Sequence, residues 1–414
     1  MYEIIAKGEA SLVGFNQSDV STEVVAQSGI NYVLIKLVSR CNYDCSYCYW
    51  FRDGSVRRLP AFILDTVTVA FVGALERHII KNKISEFTCS FHGGEPTLYS
   101  AVKLRDFMRQ IDSVALKAKC HIRYALTTNG SLLSFDWLEL ISEYEISVTV
   151  SIDGPPEIHD KRRVSVKKMP TWHKSVGGYL DLCRRGVKPS VIAVCDPLSD
   201  PKALLDHFSL DLGVMYCDVL VPDLNHSDDV ISIAEYYIGL FDHWYDNYSE
   251  RGVKVRFLNE IVRGVLGLES KTDSIGYGPT QTVCLNTTGN LEPHDVLRIA
   301  GGEHTETECS IMTHELSDIE RDPKWKSVRD ASIKLCDQCN SCRYKFACGG
   351  GHISQRWSTE KQYDNPSVYC SDYIKIFDHV SERISNDLSF KEGQLQIDPI
   401  TLCERMKAGV FSIL

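Results

Sequence analysis

Six apolar runs alternate with helix-patterned segments between residues 32 and 221, and this alternation limits the fold more than any other feature of the chain. The runs span 32–38, 87–91, 122–126, 146–152, 187–194 and 214–221. Helical periodicity fills 61–81, 101–116, 135–142, 171–185 and 201–210. Short, continuously apolar strands need cover on both faces, so they predict a parallel sheet with helices outside. The expected fold is α/β: a partial barrel of six β/α units, related to the eight-fold barrel. Chemistry in such folds collects at the C-terminal ends of the strands.

Directly after the first run comes RCNYDCSYCYW, with Cys41, Cys45 and Cys48 at C-x3-C-x2-C spacing. A loop that turns once brings three thiolates onto one face of a compact cofactor. A four-iron cluster wants four ligands, so three thiolates leave one iron open to something that is not protein. A structural zinc site is normally closed by four ligands, and no further Cys or His follows locally. On these residues the chain resembles the radical SAM superfamily. The resemblance implies a [4Fe–4S] cluster whose open iron chelates S-adenosylmethionine, with reductive cleavage giving a 5′-deoxyadenosyl radical.

The strand-end motifs extend the resemblance. FHGGEPTL follows the second run, and Gly93, Gly94 and Glu95 are expected at the methionine moiety of S-adenosylmethionine; glycines let backbone approach a ligand closely. TTNG after the third run offers Thr127 and Asn129, and SIDGP after the fourth offers Ser151 and Asp153, for the ribose. Asp153 equally suits capping of its own turn. Tyr47, among the cysteines, joins this set. In IHDKRR, Arg163 is the candidate for gripping a carboxylate by paired hydrogen bonds, with Arg162 as its rival.

Cysteine usage is uneven. Of sixteen cysteines, three lie at 41–48 and five at 336–370; in a reducing compartment such clusters read as metal sites rather than disulfides. Most of the other eight read as small buried hydrophobes. The segment LCDQCNSCRYKFACGGGH and the later SVYC make the chain similar to radical SAM enzymes with a SPASM domain, the group that holds anaerobic sulfatase maturases and ribosomal-peptide maturases. Cys339, Cys342, Cys348 and Cys370 fall on the four ligands of the outer auxiliary cluster, so at least one auxiliary [4Fe–4S] cluster is implied. The inner site is altered: His294 and His352 stand where the pattern has cysteines, and Gly278 replaces another. Three readings stay open for it: no inner cluster; a mixed set drawn from Cys284, His294, Cys336, His352 and Cys309; or another metal. Asp295 matches the aspartate that serves as base in sulfatase maturases.

The expected organisation is an N-terminal extension (1–29), the radical SAM barrel (30–222), a helical bridge (223–274), a SPASM domain held by metal rather than by a large core (275–385), and a tail (386–414). Net charge of −10 argues against a nucleic-acid surface. No apolar run is long enough to span a membrane, and the polar N-terminus is unlike a signal peptide, so the expected location is the cytoplasm. The resemblance implies a precursor-peptide substrate, a crosslink of the cyclophane or thioether type, and a reductant such as flavodoxin or ferredoxin. Formylglycine formation is the alternative activity; an iron–sulfur electron-transfer protein is the alternative class.

Overall fold

The computed structural model describes residues 29–392. The expected N-terminal extension, except Gly29, and the tail beyond 392, with Cys403, lie outside these residues. The first half runs β1 (Tyr32–Val38), β2 (Tyr43–Cys45), α1 (Asp65–Asn82), β3 (Glu86–Gly93), α2 (Ala101–Ala118), β4 (His121–Thr128), α3 (Phe135–Glu143), β5 (Ser147–Ser151), α4 (Pro156–Arg162), β6 (Arg163–Ser165), α5 (Trp172–Arg184), β7 (Ser190–Val194), α6 (Pro201–Asp206) and β8 (Tyr216–Leu220). The six expected strands are β1, β3, β4, β5, β7 and β8. They lie side by side in sequence order and every pair is parallel, the order of a barrel that has not closed.

Two expected helices differ in extent. The first begins at Asp65, because residues just before it are spent on the sheet: Phe62 bridges Val38 and Ile63 donates its N–H to Leu37 at 2.9 Å. The segment from Pro201 stops as an α-helix at Asp206 and continues as a π-turn, His207–Asp211, the wider winding that appears as single turns. Helix ends are conventionally closed. Ser100 and Ser134 accept the N–H groups of Lys103 and Trp137, as N-cap hydroxyls do.

The second half runs α7 (Ala234–Asn247), β9 (Lys254–Val255), α8 (Arg256–Val265), β10 (Val283–Leu285), β11 (Leu291–Pro293), α9 (Pro323–Ile333), α10 (Asp337–Asn340), α11 (Lys345–Cys348) and α12 (Cys370–Glu392). Here the structure departs from the expectation of a domain held mainly by metal. β10 pairs in parallel with β1 through Leu34 and Cys284, β11 follows it antiparallel, and the sheet grows to nine strands. Ile275, Leu285, Trp325, Ile376 and Val380 belong to the same buried core as Phe71, Phe91 and Phe241. Three-residue strands carry too little periodicity to be read from sequence, and the partner of β10 in β1 is 250 residues away. No described helix is long and apolar enough to cross a membrane.

Candidate active site

The cysteine loop is built on β1 and pinned from two sides. As the chain leaves the sheet, Arg40 donates to the carbonyls of Val56, Arg57 and Leu59 at 3.0–3.2 Å, fixing the loop that follows the cysteines. β2 then pairs antiparallel with β6, which sets Cys45 opposite Arg163. Sequence reading placed both residues near the cofactor but missed this ribbon, which positions one by the other.

A cavity of 220 Å³ opens at the strand ends. Cys41, Cys45 and Cys48 line it together with Tyr47, Gly93, Gly94, Glu95, Thr127, Asn129, Ser151, Asp153 and Arg163. The structure thus gathers all the residues proposed for the first cluster and its ligand. Several have roles other than direct contact. A Cβ on Gly93 would stand 2.2 Å from the Val38 carbonyl oxygen, and one on Gly94 2.2 Å from that of Arg40. The close approach these glycines allow is therefore to the backbone that carries Cys41, with Gly94 N–H on Val38 and Glu95 N–H on Arg40. Glu95 offers no free oxygen: its carboxylate accepts from Thr97, from Thr128 Oγ1 at 2.7 Å and from Asn129 N at 2.7 Å. It braces the ends of β3 and β4. Burial pushes its pKa up against those bonds.

Asp153, Tyr47 and Arg163 form a chain. Tyr47 donates to Asp153 Oδ2 at 2.6 Å and Arg163 Nη1 donates to Tyr47 at 2.7 Å. Burial opposes charge on Arg163, yet the neighbouring Cys45, Tyr47 and Asp153 hold it firmly protonated. Its Nε is buried without a partner, a donor that an anionic ligand would satisfy. Arg162 is spent elsewhere: it caps the Val194 and Cys195 carbonyls at 3.1 and 2.9 Å and lies over the Tyr47 ring. Of the two arginines, Arg163 is the one free to bind.

A larger cavity of 760 Å³ adjoins the first, with Tyr49, Ile192, Leu220 and Asp223 in both walls. Asp295 lies here, buried. Its Oδ2 accepts from Tyr49 at 2.6 Å and pairs with Lys36. Burial opposes its charge, but Lys36 beside it keeps the carboxyl well below the usual range. Lys36 is wholly buried in β1, 3.0 Å from His92 Nδ1 and 4.1 Å from the Trp50 ring. Sequence reading missed Lys36, although a lone lysine inside VLIKLV is the signal that could have found it.

Beside Asp295, His294 and His352 meet with ring centroids 5.2 Å apart, and Asp273 brings a third donor within 4.8 Å of theirs. The mixed set considered for the inner auxiliary site also included Cys284 and Cys336. Cys284 is wholly buried in β10 within the sheet, and Cys336 packs in one small buried cluster with Cys339. Neither is within a single ion's reach of the two histidines among the described residues. Asp273 was not anticipated, since nothing in its loop marks it.

A separate cavity of 220 Å³ holds Cys339, Cys342, Cys348 and Cys370 in one wall. Cys370 opens α12, and Gln338 donates to its sulfur at 3.5 Å. Single-ion tetrathiolate sites draw their sulfurs to about 3.8 Å of one another. Among the described residues, the group with three donors within 4.8 Å is Asp273, His294 and His352. Neither cysteine set meets that single-ion spacing among the described residues. Burial pushes the Cys41 and Cys48 thiols up, and that of Cys45 to about 11, so cluster binding must release protons.

The family profile described as the Radical SAM superfamily matches residues 35–198, the span that supplies β1 to β7 and every side chain of the first cavity apart from those on β8 and just after it. The chain carries a radical SAM domain. Its cofactors are accordingly a [4Fe–4S] cluster, fitted by Cys41, Cys45 and Cys48, and S-adenosylmethionine, fitted by the cavity that Arg163 closes. Over 375 residues it is 24% identical to a cysteine-type anaerobic sulfatase-maturating enzyme of Clostridium perfringens, covering 86% of this chain and 97% of the relative. A solved structure described as native anSMEcpe with bound AdoMet superposes with a TM-score of 0.76 at 21% identity, over 87% of this chain and 99% of that one. Streptococcus suis SuiB bound to precursor peptide SuiA superposes with a TM-score of 0.58 at 16% identity, over 82% and 75% of the two chains. At these identities the superpositions establish a shared fold.

Proposed function

We propose that this radical SAM enzyme matures a ribosomally made precursor peptide by joining two of its side chains, with a carbon–carbon cyclophane bond favoured over a thioether. The observation that carries the reading is the 760 Å³ cavity sharing a wall with the cofactor cavity: it has room for a peptide turn and delivers a side chain to the strand ends. A neighbour of the same fold is bound to a precursor peptide. When bound, the cluster and S-adenosylmethionine supply one-electron chemistry that removes hydrogen from an unactivated carbon. Arg163 and the Asp153–Tyr47 chain orient the ligand, and the buried walls exclude water.

Asp295 is the proton acceptor in this proposal. It stays ionised, but Lys36 makes it a weak base, suited to the acidic proton of an already oxidised carbon. Cys339, Cys342, Cys348 and Cys370 hold an auxiliary cluster that takes the returning electron. A flavodoxin or ferredoxin supplies the reducing equivalent.

A second reading, formylglycine formation, is favoured by the names of the sulfatase-maturating relatives. One experiment separates the two. Reduced holoenzyme is incubated anaerobically with peptides encoded beside its gene. A product lacking two hydrogens and inert to a hydrazide probe supports crosslinking. An aldehyde-reactive product overturns it in favour of formylglycine.

A further inference from the structure

We propose that Asp273, His294 and His352 bind a single divalent first-row transition ion of the zinc class, in the wall of the larger cavity and separate from both cysteine sites.

The donor set is complete before any ion enters. One donor atom from each of the three residues lies within 4.8 Å of the other two. Nitrogen and carboxylate ligands at about 2.1 Å from zinc stand roughly 3.4 Å apart in a tetrahedral shell, so small side-chain rotations close the site. Asp273 Oδ2 is already 3.0 Å from His294 Nε2. Two imidazoles and one carboxylate leave a coordination position open, and the three residues line the cavity.

His352 is the second, independent observation. Its Nδ1 is 3.1 Å from Asp223 Oδ1, and that carboxylate also accepts from Ser354 Oγ at 2.9 Å. A carboxylate only accepts, so Nδ1 carries the proton and Nε2 presents its lone pair. That Nε2 is buried and has no partner. His294 repeats the arrangement more loosely, with Nδ1 facing Asp295 at 3.5 Å. A histidine that ligates a metal usually turns its other nitrogen to a carboxylate, which fixes the tautomer and strengthens the donor. A simple ion pair between Asp273 and His294 would not account for the orphan nitrogen of His352.

The site is also held and reachable. Gly276 and Tyr277, just after Asp273, donate to the Cys348 and Phe346 carbonyls; a Cβ on Gly349 would stand 2.0 Å from the Gly276 oxygen. The Asp273 loop is thereby seated on the turn that leads from Cys348 to His352. Asp273 keeps 32% of its side chain exposed, an entry path for the ion. With its open position toward the cavity, the ion can take a donor atom of whatever occupies that cavity.

The test needs no peptide and is independent of the maturase reading. Holoenzyme with reconstituted clusters is desalted and titrated anaerobically with Co²⁺ alone, then counted for cobalt, iron and sulfide. One cobalt per chain with unchanged iron is expected. His352→Ala and Asp273→Asn should weaken binding more than tenfold, and Asp223→Asn, a positioning change, about 10–100-fold. Cobalt-edge absorption of the wild-type protein should show nitrogen and oxygen ligands without sulfur, a readout that stands even where a variant fails to fold. No retained cobalt, sulfur in the first shell, equal binding by variants that keep their iron, or loss of iron and sulfide with His294 and His352 would each overturn the proposal.

Discussion

Arg163 is the side chain through which the cofactor cavity can be read most directly. Its unpartnered Nε and its charge point to an anionic ligand group, and charge-assisted bonds contribute about 1.5–3 kcal/mol each. Arg163→Lys should therefore weaken S-adenosylmethionine binding by about 10–100-fold in equilibrium dialysis. Arg162→Ala should change that affinity far less, since its partners are carbonyls at the strand ends. The sequence put Arg163 ahead of Arg162 but could not show what separates them, because that depends on β2 and β6 pairing across about 120 residues. Lys36 makes the complementary case. Lys36→Met leaves Asp295 buried without its cation, a loss of about 3–5 kcal/mol that thermal unfolding should register. Lys36→Met with Asp295→Leu should recover part of it, because the pair then leaves together.

At the scale of elements, the β3 turn is joined closely to the exit of β1. Gly94→Ala drives a methyl into the Arg40 carbonyl and the Cys41 amide. The expected result is loss of iron from the first cluster while Cys339, Cys342, Cys348 and Cys370 keep theirs, read as a halving of iron per chain. α4 supplies a pH-dependent element. His159 is wholly buried; its Nδ1 accepts from Asp153 N at 3.2 Å and its Nε2 meets Thr171 Oγ1. Burial, helped by Arg163 and His207, depresses its pKa to about 2. The unfolded chain then binds the extra proton below about pH 6.5, so stability falls as pH drops through that value, by roughly 1.4 kcal/mol per unit. Melting temperatures at about pH 7 and 5.5 should differ less for His159→Gln than for wild type. The six main strands were legible because each is a continuous apolar run. β10 and β11 were not, because three residues show no period; β10 is placed by pairing with β1 and β11 by pairing with β10.

At the scale of the whole molecule, the described residues form three cavities. One holds the cysteine triad at the end of β1, a second holds the later four cysteines beside α12, and the large cavity with Asp273, His294 and His352 shares a wall with the first. Sequence spacing grouped both cysteine sets, because residues close in sequence leave a local signature. It could not group Asp273 with His294 and His352, because only the fold brings that loop near them. Iron should number about eight per chain for two four-iron clusters.

The central claim is that the triad at Cys41, Cys45 and Cys48 holds a cluster open to S-adenosylmethionine. The most direct measurement is 5′-deoxyadenosine released by reconstituted, reduced protein under anaerobic conditions. Wild type should release it, and the protein with Cys41, Cys45 and Cys48 replaced by Ala should release none while keeping about four irons. No release from fully loaded wild type, or continued release from the triple variant, would contradict the account.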